Sequence, residues 1–266
     1  MKLIAYLDGI GLIGPGLDNW LAARPLLAGA APYEAQPIAV PAPQSLPPAE
    51  RRRTGLAVRV ALAVAQEACA NGQLDARHLA AVFASSGADG DNCDAICKML
   101  ASEDRHISPT RFHNSVHNAP AGYWGIASGA MTPATVLCAY DSSFGAGLLE
   151  AMSQVTVENI GCLLVSYEAP YPEPLHAKRP LPYAFGIALA LMPERSAQSL
   201  ARIEVSLTDA DPDALLAEPE LETLRRAIPS ARGLPLLQAV ARGAGGRVIL
   251  DYLAPLRLAL AIEPCR

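Results

Sequence analysis

Residues 133–151 read PATVLCAYDSSFGAGLLEA. Apolar and β-branched residues fill the first part, a cluster of Asp141, Ser142 and Ser143 follows, and an Ala/Gly/Leu pattern of helical spacing starts at once. The spacing predicts a strand over 133–140 and a helix over 144–157. A strand that turns sharply into a helix is where many enzymes mount a nucleophile. The fold and the chemistry therefore both turn on what Cys138, Asp141 and Ser142 do.

Outward from this stretch the same alternation continues. Residues 2–8 read as a strand closed by the glycine-rich turn GIGLIGPG (9–16), and LDNWLAARPLLAG (17–29) as a short helix. The proline-rich run 31–49 reads as an extended surface connection, because proline stops both helix and ladder. A helix is expected from Glu50 to Ala70, where Leu56, Val60 and Val64 form one apolar stripe and Arg52, Arg53 and Arg59 lie off it. A buried strand running into a small-residue turn covers 79–89, with helices over 94–101 and 121–130. Strands follow at 160–170, 184–192 and 201–207, the last two as a candidate pair. Two amphipathic helices fit 213–228 and 235–243, and one or two strands fit 246–264. Strand–helix alternation through residue 168 argues for an α/β fold with a layered core.

Composition narrows the function. Of 266 residues 51% are hydrophobic and 18% charged, which gives a large core and excludes a disordered chain. The net charge of −5 offers nucleic acid no electrostatic footing. The longest apolar stretches are broken by Arg, Glu or Pro, so no membrane span is expected. The first residues lack a small-residue cleavage pattern and read as a core strand, and six scattered cysteines fit a reduced, cytoplasmic setting.

Four further features bear on chemistry. Cys93-x3-Cys97 with His113-x3-His117 copies zinc-ligand spacing, but the segment between lacks the apolar core of a small finger, so buried cysteines and hydrogen-bonded histidines are the expected reading. His113 and His117, with Asn114 and Asn118, lead into a small-residue helix and are candidates for lining a pocket. Neither GIGLIGPG nor ASSGADGD matches a phosphate-binding loop, so no nucleotide and no other cofactor is expected. Arg51, Arg52 and Arg53 stand at the start of the expected 50–70 helix, where positive charge opposes the dipole and suggests an anion or a partner.

The order of elements over about residues 3–195 resembles the N-terminal half of a β-ketoacyl-acyl carrier protein synthase, a thiolase-like fold. The likeness rests on GIGLIGPG, on LPPAERRRTGLAVRVALAVAQEA (46–68), on VFASSGADGD (82–91) and on the stretch running to Ala151. The wording SPTRFHNSVHNAPAGYWGIASG (108–129) resembles the short, stand-alone synthase-like proteins of aryl polyene gene clusters, often called chain-length factors. The resemblance implies one thiolase-like domain over 1–266: a layered mixed sheet flanked by helices, with a divergent tail from about 196.

It also implies what position 141 should hold. With Thr132-Pro133 where the family has Gly-Pro, Ala139-Tyr140 fall on its Thr-Ala and Asp141 on its nucleophilic Cys. Cys138 comes three residues early and is expected as a buried packing residue of the strand. No histidine follows His176, so the family's two C-terminal catalytic histidines have no counterpart. No side chain of the elbow is expected to attack. Asp141 is expected to cap the helix, with Asn nearly equivalent there. The implied role is a non-catalytic subunit that pairs with a full-length ketosynthase, shapes an acyl tunnel and works with acyl carrier protein. Segment 112–145 is expected at the dimer interface, with His113, Asn114, His117, Asn118, Tyr123, Trp124 and Phe144 as tunnel or interface candidates, Tyr140 among the bulky neighbours, and Arg51–Arg53 as the carrier-docking patch. The competing readings are a degenerate acyltransferase or thioester hydrolase using Ser142 or Asp141 with His113 or His117, and a homodimeric carrier scaffold.

Overall fold

A computed structural model describes residues 2–87, 89–211 and 216–265. In chain order the elements are β1 (Leu3–Ile13), α1 (Trp20–Ala28), α2 (Pro48–Arg51), α3 (Leu56–Asn71), β2 (Ala80–Ala84), α4 (Gly90–Ala101), α5 (Pro109–His113), α6 (Ala119–Ser128), β3 (Ala134–Leu137), α7 (Ser143–Glu158), β4 (Cys162–Glu168), α8 (Leu175–Lys178), β5 (Phe185–Met192), β6 (Ala201–Thr208), α9 (Pro219–Ala227), α10 (Leu234–Arg242), β7 (Gly246–Asp251) and β8 (Arg257–Pro264). The eight strands form one sheet in the order β3-β2-β4-β5-β1-β6-β8-β7. β2 runs parallel to both β3 and β4, and every other pairing is antiparallel.

Side chains alternate between the two faces of the sheet. One face carries Val82, Leu164, Ile187 and Leu189 and is covered by α1, α7 and α10 with Leu148, Met152 and Leu237. The other carries Phe83, Val165 and Ala188 and is covered by α3 and α6 with Val60, Val64 and Trp124. Each of β4 and β5 is buried almost throughout, the pattern of a strand sandwiched between helical layers. None of the described helices is long and apolar enough to cross a membrane.

Three expectations need correction. The glycines of 9–13 do not turn: β1 runs through to Ile13. They are there because α3 lies directly on the strand, and a Cβ at Gly9 or Gly11 would drive into the carbonyl oxygens of Ala68 or Val64. β5 and β6 are not a pair, since β1 lies between them and bonds to both. The helix expected from Glu50 is two: α2 starts at the Pro47-Pro48 step and ends at Arg51, and α3 begins only after Gly55. Arg51 therefore ends a helix while Arg52 and Arg53 lie in the break, so the triplet does not oppose a helix N-terminus. The start of the expected 213–228 helix lies partly outside the described residues; the helix itself runs Pro219–Ala227.

Candidate functional site

β3 is the sheet's edge strand and its ladder with β2 stops at Leu137, opposite Ala84. Cys138 and Ala139 then lead into a single 3-10 turn, Tyr140–Ser142, and α7 follows without a gap. Tyr140 has φ +51, a left-handed conformation that costs a bulky side chain energy and persists only where its surroundings enforce it. Ser143 does part of the enforcing. Its buried Oγ donates to the carbonyl of Tyr140 at 2.7 Å and accepts from the N–H of Ala139 at 3.0 Å.

Asp141 does not cap α7. The capping position is Ser142, whose side chain makes no capping bond. The Asp141 carboxylate is taken instead by two guanidinium groups, Arg179 at 2.8 Å on one oxygen and Arg232 at 3.3 Å on the other. A guanidinium offers a full positive charge where a helix N-terminus offers only a partial one, so the ion pairs compete well for this carboxylate. Arg179 also stacks on the Tyr140 ring, 3.7 Å from its centroid, and helps hold the strained residue. Arg232 reaches on to Asp251 at 3.4 Å, and Asp251 meets Arg225, itself bound to Glu222. A continuous relay of alternating charge thus runs from α9 to the elbow.

Cys138 is neither inside β3 nor buried. It follows the strand's last residue and is exposed, because an edge strand leaves one side open, and its thiol donates to the Ser86 carbonyl at 3.2 Å. The Ser142 hydroxyl donates to the carbonyl of Tyr252 at 3.1 Å. Its proton is thus committed to the β7–β8 connection and not to a histidine.

Beneath the elbow, Glu168 ends β4 with only 2% of its surface exposed. It accepts from the backbone N–H of Ser86 at 2.7 Å and from the Ser86 hydroxyl at 2.8 Å. Burial pushes its carboxyl up to about 7, against the Ser86 bonds and Arg179, which favour the charge. A carboxyl raised in the folded state binds protons more tightly there than in the unfolded chain. The fold is therefore favoured fully below the unfolded value near 4.5, and this advantage fades as pH rises through 7. Glu168→Gln should flatten the stability profile between pH 4.5 and 7 by up to about 3 kcal/mol, read from denaturant melts across that range. An unchanged slope would show that Glu168 stays charged in the fold.

The candidate tunnel residues divide between places. His113, Asn118 and Tyr123 line a groove of about 610 Å³ together with the exposed Phe112, Val116 and Ile126. The His113 ring stands edge-on to Tyr123, whose hydroxyl donates to Asn114; Asn114 in turn donates to the carbonyl of Arg53. His117 is half-buried beside a small cavity shared with Asp89 and Tyr167, and its Nε2 has no partner among the described residues. Trp124 is core on the α3 side of the sheet and Phe144 on the α7 side. In the arginine triplet, Arg51 is half-buried and turned onto the carbonyl of Leu46 and the side chain of Gln44, while Arg52 and Arg53 are exposed, Arg53 pairing with Glu50. Among the described residues no three His, Cys, Asp or Glu converge as a metal site.

Sequence reasoning missed Arg179, Arg232, Asp251, Glu168 and Ser86. All five are brought to the elbow from other strands and loops, and no local spacing marks them.

The geometry can be set beside known proteins. No curated protein matches the chain. Among solved structures it resembles a ketosynthase (ApeO) in complex with its chain length factor (ApeC) from Xenorhabdus doucetiae. The match has a TM-score of 0.72 at 22% identity over 97% of this chain and 99% of that one. It also resembles the ishigamide ketosynthase/chain length factor, at TM-score 0.70 and 13% identity over 99% and 100% of the two chains. A third likeness is to AntDE:AntF, a type II acyl-carrier protein in complex with its ketosynthase, at TM-score 0.74 and 11% identity over the full length of both. At these identities the likeness is one of fold. Residues 22–242 match the family model of the β-ketoacyl synthase N-terminal domain, so the chain, thiolase-like in its mixed sheet and its strand–turn–helix elbow, belongs to that family.

Proposed function

We propose that this protein is a non-catalytic, chain-length-factor-type subunit that pairs with a full-length ketosynthase and works on acyl chains carried by acyl carrier protein, in biosynthesis of the aryl polyene kind. The observation that carries the reading is the Asp141 carboxylate held between Arg179 and Arg232, at the position that the family resemblance gives to the nucleophilic cysteine. A carboxylate with both oxygens bound to guanidinium groups has little lone-pair density to offer an acyl thioester, and a mixed anhydride would be a poor place to store the chain. Ser142 adds no alternative, since its hydroxyl is bonded to Tyr252.

A partner is supported by the open sheet edge. The carbonyls of Pro133 and Leu137 accept from Ala81 and Ser85 of the β2 strand and the residue that follows it. By alternation, the N–H and C=O groups of Ala134 and Val136 point away from the sheet, with no partner among the described residues. Met131, just before β3, and Ile126, on the α6 helix that packs against β3, are exposed, and Phe112 and Val116 share a groove with Ile126. A ketosynthase presenting its own edge strand would satisfy both. The Arg51–Arg53 patch, exposed at Arg52 and Arg53, would face the carrier on this reading.

The pure protein should neither condense nor decarboxylate malonyl thioesters, while the complex with its synthase should. Asp141→Cys should leave the pure protein inactive, because it frees two guanidinium groups without supplying catalytic histidines. It should also cost about 1–3 kcal/mol of stability through their lost charge-assisted bonds. Asp141→Asn should lose a similar amount, unlike a capping aspartate. Sustained ketoacyl formation by the pure wild type would sink the non-catalytic reading, and turnover by pure Asp141→Cys would show that the missing histidines are not what silences it.

A further inference from the structure

Outside the elbow, one helix carries a pair of thiols. Cys93 and Cys97 stand one turn apart on α4, and both are exposed. The other cysteines differ. Cys69 and Cys162 are buried, with burial pushing each thiol up to about 12, Cys138 is exposed but alone on its loop, and Cys265 is half-buried. Burial first, and then the neighbouring Cys97, pushes the Cys93 thiol up.

The pair also opens on a cavity. Cys93 and Cys97 line a space of about 440 Å³ whose other walls include Pro172, Pro174 and Leu175, with Lys178 at the rim. The nearest carboxylate, Asp94, is paired with Lys98 at 2.7 Å. A hard cation would find no set of oxygen ligands here.

Helix geometry decides what can join the sulfurs. Residues four apart on a helix have Cβ atoms about 5–6 Å apart. A disulfide needs them about 3.5–4.5 Å apart, so a direct S–S bond would deform α4. One bridging atom removes the conflict, since two metal–sulfur bonds of about 2.3 Å span up to roughly 4.6 Å between sulfurs. With no third ligand among the described residues, the atom must be satisfied by two thiolates, and soft sulfur ligands favour soft centres.

We propose that Cys93 and Cys97 form a two-sulfur site bridged by one thiophilic atom, copper(I) or an organic arsenic(III), with the adjoining apolar cavity taking any organic group that atom carries. Copper(I) binds as the two thiols release two protons, with no change of oxidation state. With an arylarsine oxide two sulfur–arsenic bonds form and the arsenic–oxygen bond breaks, the oxygen leaving as water with both thiol protons.

The test uses the reduced, full-length protein in two arms. In one, phenylarsine oxide is added and intact mass is measured; in the other, copper(I) is titrated against bathocuproine disulfonate. Wild type should take one equivalent, as a single phenylarsenic adduct or as chelator-resistant copper. Cys93→Ser and Cys97→Ser should each weaken capture at least tenfold, whereas Cys138→Ser should not change it. Both paired cysteines are exposed, so their serine variants should melt with wild type, and a melt of each checks this. Capture in either arm that both variants lose upholds the site and identifies which centre it takes. No capture in either arm, or capture that persists in either variant, overturns it.

Discussion

A single methyl group at position 11 is expected to remove a large part of this protein's stability. Gly11 lies near the C-terminal end of β1, paired with Ala188 of β5, and β1 lies between β5 and β6 at the centre of the sheet. The Cβ of Gly11→Ala would enter the carbonyl oxygen of Val64, a backbone atom that no rotamer change can move. Relief requires α3 to lift off the strand, which uncovers Val60, Val64 and Ala65 and loosens the entire face they close. Overpacking a core usually costs 1–3 kcal/mol when side chains can yield. With backbone against backbone the cost should exceed about 3 kcal/mol, a large part of a typical 5–15 kcal/mol total. Gly9→Ala, against Ala68, should behave alike. Gly122→Ala supplies the contrast: its Cβ meets nothing within 4 Å on α6, and it should be neutral or stabilising by roughly 0.5–1 kcal/mol. Soluble yield and denaturant midpoints of the three variants decide the matter. A Gly11→Ala protein that melts with wild type would mean that α3 does not rest on β1.

The second large effect concerns assembly. Val136→Pro removes an N–H that points away from β2, so the chain's own ladder through Thr135 and Leu137 should survive. If a synthase adds its strand to this edge, the proline deletes a bond at the centre of the joint and places its ring against the incoming backbone. The complex should weaken at least about a hundredfold, near 3 kcal/mol, while the isolated variant keeps its melting temperature. Co-purification with the synthase and analytical ultracentrifugation measure it. Undiminished binding by a folded Val136→Pro protein would move the interface elsewhere.

Much of this architecture was legible in the chain. The elbow is local, since an apolar run, a polar cluster and a 3.6-residue pattern succeed one another within 133–158, and the structure places β3, the turn and α7 there. What escaped was contact between distant segments. Gly9 and Gly11 read as a turn because glycine has two uses, and only the approach of α3 selects the second. The place of β1 between β5 and β6 is a property of ladders that close across most of the chain, invisible to any window. Asp141 shows the same limit more sharply. From its neighbours it reads as a cap; from Arg179 and Arg232, which the fold delivers, it is an anchor for positive charge. Cys138 reads as core until β3 proves to be an edge.

On the reading proposed above, the twofold ion pairing of Asp141 has a historical consequence. One codon change could restore a thiol at position 141, but it would strand Arg179 and Arg232, and the relay from Glu222 through Arg225 and Asp251 would lose its terminus. Return to catalysis would have to pass through less stable intermediates or change several distant residues together. Any lineage that acquires such a network has closed a door behind it: the ancestral chemistry is withheld by the partners its replacement recruited, more than by the replaced residue itself.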